Sequence, residues 1–242
     1  MPVISPELHS GMVVALQANY LEVELEAPPV DVPPRLLCTR RTRLNHRGAV
    51  VHVGDRVRVE AIDCDHARAV VAEVEPRSSF LVRPPVANAS CVLVAVAVEQ
   101  PAFDADQVSR FLLTAEKTGL QVLLVLTKCD LLDADALSKL RKRLQGWGYE
   151  PILVSTCSGM GLEELRAHLA TVPISVLCGP SGVGKSSLLN GLLPGLALRV
   201  GAVSGRLQRG RHTTRHVELH AFSPGSRLSL IHISEPTRRR LI

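Results

Sequence analysis

The stretch GPSGVGKSS, at residues 179–187, decides the fold of this chain of 242 residues. It follows the apolar run ISVLC at 174–178, which predicts a buried strand, and precedes LLNGLL at 188–193, which predicts a helix. A glycine-rich turn in this setting aims backbone N–H groups and the positive end of the helix dipole at an anion. The motif predicts a phosphate-binding loop, whose members are Gly179, Pro180, Ser181, Gly182, Val183, Gly184, Lys185, Ser186 and Ser187.

Two side chains of this loop carry specific chemistry. The ammonium of Lys185 can reach the terminal phosphates of a nucleotide and stabilise charge on a transferred phosphoryl group, so we predict a catalytic role for it. The hydroxyl of Ser186 is a hard oxygen ligand of the kind that Mg²⁺ prefers. We therefore expect a nucleoside polyphosphate and Mg²⁺ as ligands.

The composition is typical of a globular protein, with 46% hydrophobic and 21% charged residues. No apolar run reaches the roughly 18 residues of a membrane span, and the N-terminus lacks the pattern of a secretory signal. We therefore expect a cytoplasmic protein with no membrane partner, acting as a monomer. The six cysteines occur singly, without a Cys-x-x-Cys pair, and this spacing favours reduced thiols over a zinc site or disulfides.

The net charge of +5 is less informative than the clustering of arginines. One cluster comprises Arg35, Arg40, Arg41, Arg43 and Arg47, and a second comprises Arg206, Arg209, Arg211 and Arg215. Such clusters neutralise phosphates, so we expect the first to contact RNA. A solvated basic surface is the alternative.

Residues 9–84 have the pattern of a small all-β domain. Five short apolar or alternating runs, among them 50–53, 56–62 and 69–74, predict a closed barrel of the oligonucleotide-binding (OB) type. An SH3-like barrel would produce much the same pattern. We expect residues 1–8 to form a flexible N-terminus, and a Pro-rich stretch at 83–85 to mark the boundary to the next domain.

From residue 85 onward, predicted strands alternate with predicted helices. The runs 91–98 and 121–126 are continuously apolar, as expected for strands covered on both faces, and Asp104 can cap the helix between them. This alternation predicts an α/β domain with a mostly parallel sheet, incomplete at its C-terminal end. Ligands of such sheets bind at the carboxyl ends of the strands.

A purine-reading sequence follows the second of these strands, at Thr127, Lys128, Cys129 and Asp130. The carboxylate of Asp130 can accept hydrogen bonds from N1–H and the exocyclic amine of guanine, while the stem of Lys128 covers the ring. Adenine has no N1–H and no amine at C2, so this arrangement would select GTP over ATP. The four residues are close to the Asn-Lys-x-Asp sequence that GTPases use to read guanine, with Thr127 in place of the asparagine. We expect this replacement to cost one supporting hydrogen bond, about 1 kcal/mol.

Ser155 and Thr156 follow the next predicted strand. They are similar to the Ser-Ala segment of GTPases, which contacts the base through backbone N–H groups. Taken alone, each of these short sequences is equally compatible with a solvated strand end or a helix cap. Their common position at strand ends favours a single nucleotide site.

The order of the motifs resembles one family. A barrel, TKCDLL at 127–132, GPSGVGKSSLLN at 179–190 and RGRHTTR at 209–215 are similar to the RsgA (YjeQ) family of small ribosomal subunit biogenesis GTPases, over about residues 9–227. The purine-reading sequence precedes the phosphate loop, the reverse of an ordinary GTPase, so the resemblance implies a circularly permuted GTPase domain at 85–227. It also implies GTP hydrolysis in late maturation of the small ribosomal subunit, with that subunit and its rRNA as partners.

The resemblance further implies a first switch at the HTT segment. Thr213 and Thr214 would complete the Mg²⁺ shell, with Thr214 acting in catalysis. His212 is a hypothesis for the group that positions the attacking water, because no glutamine suited to that role is evident.

The sequence departs from the family near its C-terminal end. It contains neither the Asp-Thr-Pro-Gly of the second switch nor the family's C-terminal zinc-binding domain. Residues 228–242, LSLIHISEPTRRRLI, resemble the translation of a transposase adaptor used in DNA library preparation. We therefore expect a truncated fragment with poor activity, in which residues 228–233 form a strand beside the phosphate-loop strand.

Two other functions stay open from the sequence alone. A guanylate-kinase-like enzyme uses a similar loop, although there the loop opens the chain and here 173 residues precede Ile174. A non-enzymatic OB-fold RNA-binding module, with a relic nucleotide fold, is the other.

Overall fold

The computed structural model describes residues 8–17, 20–41, 50–82, 84–193, 195–196 and 217–230. They form two compact units: the first runs to Ala89 and includes a short segment ending at His220, and the second begins at Ser90 and resumes at Ala221. Within the described ranges, no helix combines the length and apolar character needed to cross a membrane.

The first unit is a closed five-stranded barrel, as the sequence predicts. Its strands are β1 (His9–Leu16), β2 (Leu21–Leu25), β3 (Arg35–Arg40), β4 (Arg56–Asp63) and β5 (Arg68–Val74). They follow the order β1-β2-β3-β5-β4, and β1 closes the barrel by antiparallel pairing with β4. Alternate residues point inward, so Val23, Val57 and Val71 are fully buried while their neighbours meet solvent.

A two-stranded hairpin follows the barrel, formed by β6 (Phe80–Val82) and β7 (Pro85–Ala87). The proline pair of the sequence therefore lies within this hairpin, and the first unit continues to Ala89. Residues 50–53, which the sequence predicts as a strand, form only an isolated bridge between Val53 and Val86.

A buried ion pair explains the irregular backbone at residues 50–55. Asp55 is fully buried, and its carboxylate accepts from Arg77 Nε at 2.7 Å and from Arg77 Nη2 at 2.8 Å. The same carboxylate accepts the backbone N–H of His52, and Arg77 also donates to the carbonyl of Val50. The His52 N–H and the Val50 carbonyl therefore bind this ion pair and are not part of a strand ladder, while Gly54 N–H and the Asp55 carbonyl pair with Val13 of β1.

The second unit is a six-stranded sheet with helices on both faces. Its strands are β8 (Cys91–Ala97), β9 (Gln121–Thr127), β10 (Ile152–Leu153), β11 (Ile174–Cys178), β12 (Leu219–Ser223) and β13 (Ser226–Leu230), although the first two residues of β12 fall in the first unit. Its helices are α1 (Ala105–Glu116), α2 (Ala134–Gln145), α3 (Leu162–Ala170) and α4 (Lys185–Leu192). The strand order is β10-β9-β8-β11-β13-β12, and the pairs from β10 to β13 are parallel.

The strand β8 lies inside the sheet and is buried along its whole length. Leu93 and Ala95 face leucines of α3 and α4 on one side. Val94 and Val96 face Phe111 and its neighbours in α1 on the other side. Helices on both faces explain why this strand is continuously apolar, as the sequence predicts.

The strand β13 occupies the position beside β11. Ser175 pairs with Leu228 and Val176 pairs with Ser229, in parallel register. The expected strand beside the phosphate-loop strand is therefore confirmed for residues 228–230, and residues 231–233 lie outside the described ranges. The strand β12 lies on the other side of β13 and forms the edge of the sheet.

Candidate nucleotide-binding site

Three loops meet at the carboxyl ends of neighbouring parallel strands. The phosphate loop joins β11 to α4, the purine-reading loop follows β9, and the Ser155 segment follows β10. Because β10, β9, β8 and β11 are adjacent in the sheet, these loops share one edge of it. The fold therefore brings together motifs that are far apart along the chain.

Two glycines give the phosphate loop its shape. Gly179 has φ of 146°, and a Cβ there would lie 2.1 Å from the carbonyl oxygen of Ala95. Gly184 has φ of 89° where α4 begins. Positive φ and the close backbone approach exclude a side chain at Gly179, so the loop passes directly over the end of β8.

Lys185 lies across this loop with its ammonium turned inward. The residue is only 6% exposed, and Nζ donates to the carbonyls of Gly179 at 2.9 Å and Pro180 at 2.6 Å. Burial lowers the pKa of the Lys185 ammonium below its ordinary value. The loop thus holds a positive charge at the position that the sequence assigns to the phosphate grip.

Ser186 and Ser187 lie in the first turn of α4 and are partly exposed. The chemistry of the Ser186 hydroxyl fits a Mg²⁺ ion shared with phosphate oxygens, since both are hard oxygen ligands. The other predicted residues of this shell, Thr213 and Thr214, lie outside the described residues, as does His212.

The purine-reading loop begins with a left-handed residue. Lys128 has φ of 58° and precedes a short 3₁₀ turn, Cys129–Leu131, which carries Asp130. The hydroxyl of Ser155 donates to Asp130 Oδ1 at 2.5 Å, and Ser155 is fully buried. The backbone N–H groups of Cys157 and Ser158 both donate to the same hydroxyl, at 3.2 Å. The Asp130 carboxylate is therefore held by a hydrogen-bonded support.

Not every predicted site residue faces the cleft. Cys129 is 2% exposed, its thiol donates to the carbonyl of Leu126, and burial raises its pKa to about 11, so this thiol is a packing group. Ser155 acts through Asp130. Gly179 and Pro180, the first two residues of the loop, are buried, and their carbonyls accept hydrogen bonds from Lys185.

Residues from each of the three loops border one open cleft with a volume of about 240 Å³. It is lined by Gln100, Thr127, Lys128, Asp130, Leu131, Thr156, Cys157, Val183, Gly184 and Ser187. The cleft joins the purine-reading loop to the loop that holds Lys185. Side chains for reading a base and backbone for binding phosphates therefore lie in one site.

The sequence reasoning missed Gln100. This residue lies in the loop after β8, has φ of 53°, and accepts a hydrogen bond from Lys128 Nζ through its carbonyl oxygen. The only available signal is its position at the carboxyl end of a buried strand, where ligands of parallel sheets bind.

Comparison with known proteins places this architecture. A model of the RsgA GTPase family matches residues 74–229, more than half of the chain. A protein of Synechococcus sp. (strain CC9311), called small ribosomal subunit biogenesis GTPase RsgA, is 70% identical over 229 residues, spanning 95% of this chain and 75% of the relative. A protein of the same name from Prochlorococcus marinus (strain MIT 9313) is 62% identical, spanning 90% and 71%.

Solved structures agree in fold. YjeQ from Thermotoga maritima has a TM-score of 0.76 and 33% identity, covering 93% of this chain and 75% of that one. YloQ, described as a circularly permuted GTPase, has a TM-score of 0.71 and 25% identity, covering 93% and 71%. The family match, the relatives and the shared fold show that this chain belongs to the RsgA family of circularly permuted GTPases.

Proposed function

We propose that the cleft between the purine-reading loop and the phosphate loop binds GTP with Mg²⁺ and that the chain hydrolyses GTP during maturation of the small ribosomal subunit. Membership of the RsgA family makes the chain a P-loop GTP hydrolase of small-subunit biogenesis. The observation that carries the finer proposal is that Asp130, supported by Ser155, borders the same cleft as the loop of Lys185.

The chemistry follows from the residues of the cleft. Asp130 would accept from N1–H and the exocyclic amine of guanine, and the stem of Lys128 would cover the ring. Loop N–H groups and Lys185 would stabilise charge on the transferred phosphoryl group. Ser186, with Thr213 and Thr214, would hold Mg²⁺, which supplies further charge neutralisation when bound.

Hydrolysis also needs an oriented water. His212 is our proposal for that role, and Thr214 for a catalytic role beside it, on the basis of their place in the HTT segment. If His212 acts in this way, His212→Ala should lower turnover stimulated by the small subunit, while the Kd for GDP stays unchanged. Unchanged stimulated turnover in the variant would dismiss this residue.

The barrel supplies the proposed contact with rRNA. Arg35 and Arg40 of β3 and the adjacent Arg41 are exposed and can neutralise phosphates. Arg35 is paired with Glu22 and Glu24, and Arg41 with Glu60, so phosphate contact by these two would exchange one anionic partner for another. Since one chain supplies both loops of the nucleotide site, we propose that it acts as a monomer. We propose the cytoplasm as the place where it meets its ribosomal partner.

The sharpest test exchanges the base that Asp130 reads. Asp130→Asn replaces two acceptors by a group that also donates, which suits the C2 carbonyl of xanthine and opposes the C2 amine of guanine. Hydrogen bonds to a charged group contribute about 1.5–3 kcal/mol each, so we expect a loss of about a hundredfold or more in GTP affinity. Binding of XTP should rise in the same variant.

The matched control is Asp133→Asn. Asp133 is an exposed neighbour that caps α2, and asparagine caps equally well. This variant should keep the wild-type preference for GTP. An Asp130→Asn protein that still prefers GTP over XTP would refute the assigned reading of guanine.

A further inference from the structure

Three side chains form a stack on the surface of the second unit. Arg143 lies in the last turn of α2, Trp147 in the turn that follows this helix, and Phe103 in the segment before α1. The guanidinium carbon of Arg143 is 5.5 Å from the centre of the Trp147 ring and 5.9 Å from the centre of the Phe103 ring. A cation over the face of an aromatic ring is attracted by the ring, so these contacts hold the three groups together. We call them the aromatic–arginine stack.

One end of the stack is fixed in the core and the other end meets solvent. Phe103 is half-buried and packs against the hydrophobic core that includes Phe111 of α1. Trp147 is 36% exposed, and Arg143 is also exposed. Tryptophan is highly buried on average, so an indole that keeps this much surface in water is informative. The described lining of the nucleotide cleft includes none of the three residues, so the proposed binding of GTP does not account for them.

The cations beside the stack are only partly neutralised. Four of them lie between residues 139 and 143 of α2. Two, Lys139 and Arg141, are paired with carboxylates. Lys142 and Arg143 are exposed, and no carboxylate in the described part of the chain forms an ion pair with either of them. Positive charge is therefore available next to the exposed indole.

A flat aromatic surface beside unpaired cations fits single-stranded RNA. Unpaired bases stack on aromatic rings and on guanidinium planes, while Lys and Arg neutralise the phosphates between them. An apolar protein surface would leave Lys142 and Arg143 without anions. Double-stranded RNA would satisfy the cations, but its bases are stacked on one another and offer no free face to Trp147.

We propose that the aromatic–arginine stack binds an unpaired base of RNA on the exposed face of Trp147, with Lys142 and Arg143 neutralising the neighbouring phosphates. The stack lies in the second unit, whereas the proposed rRNA contact of the barrel lies in the first, so it adds a separate RNA contact to this chain. The choice of RNA as the partner rests on the proposed ribosomal function.

The first test uses the fluorescence of Trp147, which is the only tryptophan of the chain, so its emission reports this surface alone. The wild-type chain is titrated with single-stranded oligoadenylate of about eight nucleotides, with GDP in excess to occupy the cleft. Stacking of a base on the indole should quench the emission until the site is saturated. Duplex RNA of equal length should leave the emission unchanged.

Absence of quenching, or equal quenching by the duplex, would overturn the proposal. The anisotropy of a labelled oligoadenylate distinguishes two such failures: binding without quenching would place the RNA elsewhere on the chain, and absence of any binding would also count against the proposed contact with rRNA. Weaker binding of Trp147→Ala to intact small subunits, without quenching of the wild type by the oligonucleotide, would assign the stack to a protein partner and would equally overturn the proposal.

The second test changes the platform. Trp147→Ala should weaken binding of the labelled oligoadenylate about fivefold or more, because stacking on an aromatic side chain contributes about 1 kcal/mol or more per base. Trp147→Phe keeps an aromatic face and should stay within about threefold of wild type. Leu113→Ala, which removes an exposed apolar side chain from α1, is the matched control and should bind as wild type does. An alanine variant that binds as tightly as wild type would refute the assigned stacking.

The third test measures the phosphate contact. Lys142→Gln should reduce the slope of log Kd against log salt concentration by about 0.7, the value for one phosphate of a single strand. Lys117→Gln removes an exposed cation at the opposite end of α1 from Phe103 and should keep the wild-type slope. An unchanged slope in Lys142→Gln would contradict the assigned role of this lysine. Since Lys142→Gln keeps all three members of the stack, this result decides the matter even if Trp147→Ala does not fold.

Discussion

The hydroxyl of Ser155 donates to Oδ1 of Asp130 across 2.5 Å, joining the ends of two neighbouring strands, β10 and β9. Ser155 in turn accepts two backbone N–H groups of its own segment. A fully buried hydroxyl thereby orients the carboxylate that we propose as the reader of guanine. Under that proposal, selectivity for the base would depend on a residue that does not line the cleft.

Removing this support should weaken guanine binding. In Ser155→Ala the carboxylate loses a hydrogen bond to a charged group, worth about 1.5–3 kcal/mol, so we expect the Kd for GDP to rise about tenfold to a hundredfold. Titration calorimetry measures the change. Ser158→Ala, at an exposed position of the same segment, should bind GDP as the wild type does. Equal affinities for the Ser155 and Ser158 variants would contradict the assigned support.

The barrel should depend strongly on Arg77. Arg77→Ala would leave the fully buried Asp55 carboxylate without its cation, and breaking a buried ion pair in this way costs about 3–5 kcal/mol. Urea unfolding, with hydrogen exchange of the barrel amides as the readout, measures the loss in free energy of unfolding. Arg58→Ala breaks an exposed pair with Glu75 and should cost less than about 1 kcal/mol. Similar losses in both variants would show that the Asp55 pair has no special weight.

The stability of the barrel should fall in mild acid because of His52. Burial, and next the charge of Arg77, lower the pKa of His52 below its ordinary value of 6.5. The unfolded chain then binds the proton more readily, so this contribution to stability is present above about pH 6.5 and is lost as pH falls through the lowered value.

Replacing His52 should remove that part of the pH dependence. Unfolding curves of wild type and His52→Gln between about pH 5 and pH 8 should differ in slope, with the flatter profile in the variant. A His52→Gln profile parallel to wild type would contradict the prediction.

A substitution at Ser229, in the strand β13, should stabilise the chain. The Ser229 hydroxyl is fully buried and, within the described part of the chain, has no hydrogen-bond partner. Ser229→Ala removes an unpaired polar group and should stabilise the chain by about 1 kcal/mol, or about 2–4 °C in Tm.

Ser226 is the matched control on the same strand. It is also buried, but its hydroxyl is 2.6 Å from that of Ser223. Ser226→Ala should therefore lower Tm in a thermal melt, and the two serine variants should move in opposite directions. A lower Tm in Ser229→Ala would show that its hydroxyl has a partner.

Local patterns carried most of the fold. The alternating residues of β4 predict a barrel strand, because successive side chains of a strand point to opposite faces and only one face is buried. The continuously apolar run of β8 predicts a central strand, because both of its faces are covered. Residues 50–53 are the counterexample. Their apolar pattern predicts a strand, but Asp55 and Arg77, which are 22 residues apart, bind the His52 N–H and the Val50 carbonyl.

By itself, the sequence determined which residue types stand at the strand ends, and hence that a phosphate loop and an Asp130 purine reader would share one edge of a sheet. Only the tertiary structure decided what Thr127 does. Its hydroxyl can donate to one acceptor, and the nearer of the two carbonyls within reach is that of Val183 at 2.6 Å, 56 residues further along the chain. The direction of a hydrogen bond depends on the spatial neighbours that folding supplies, and no local pattern of residues specifies them.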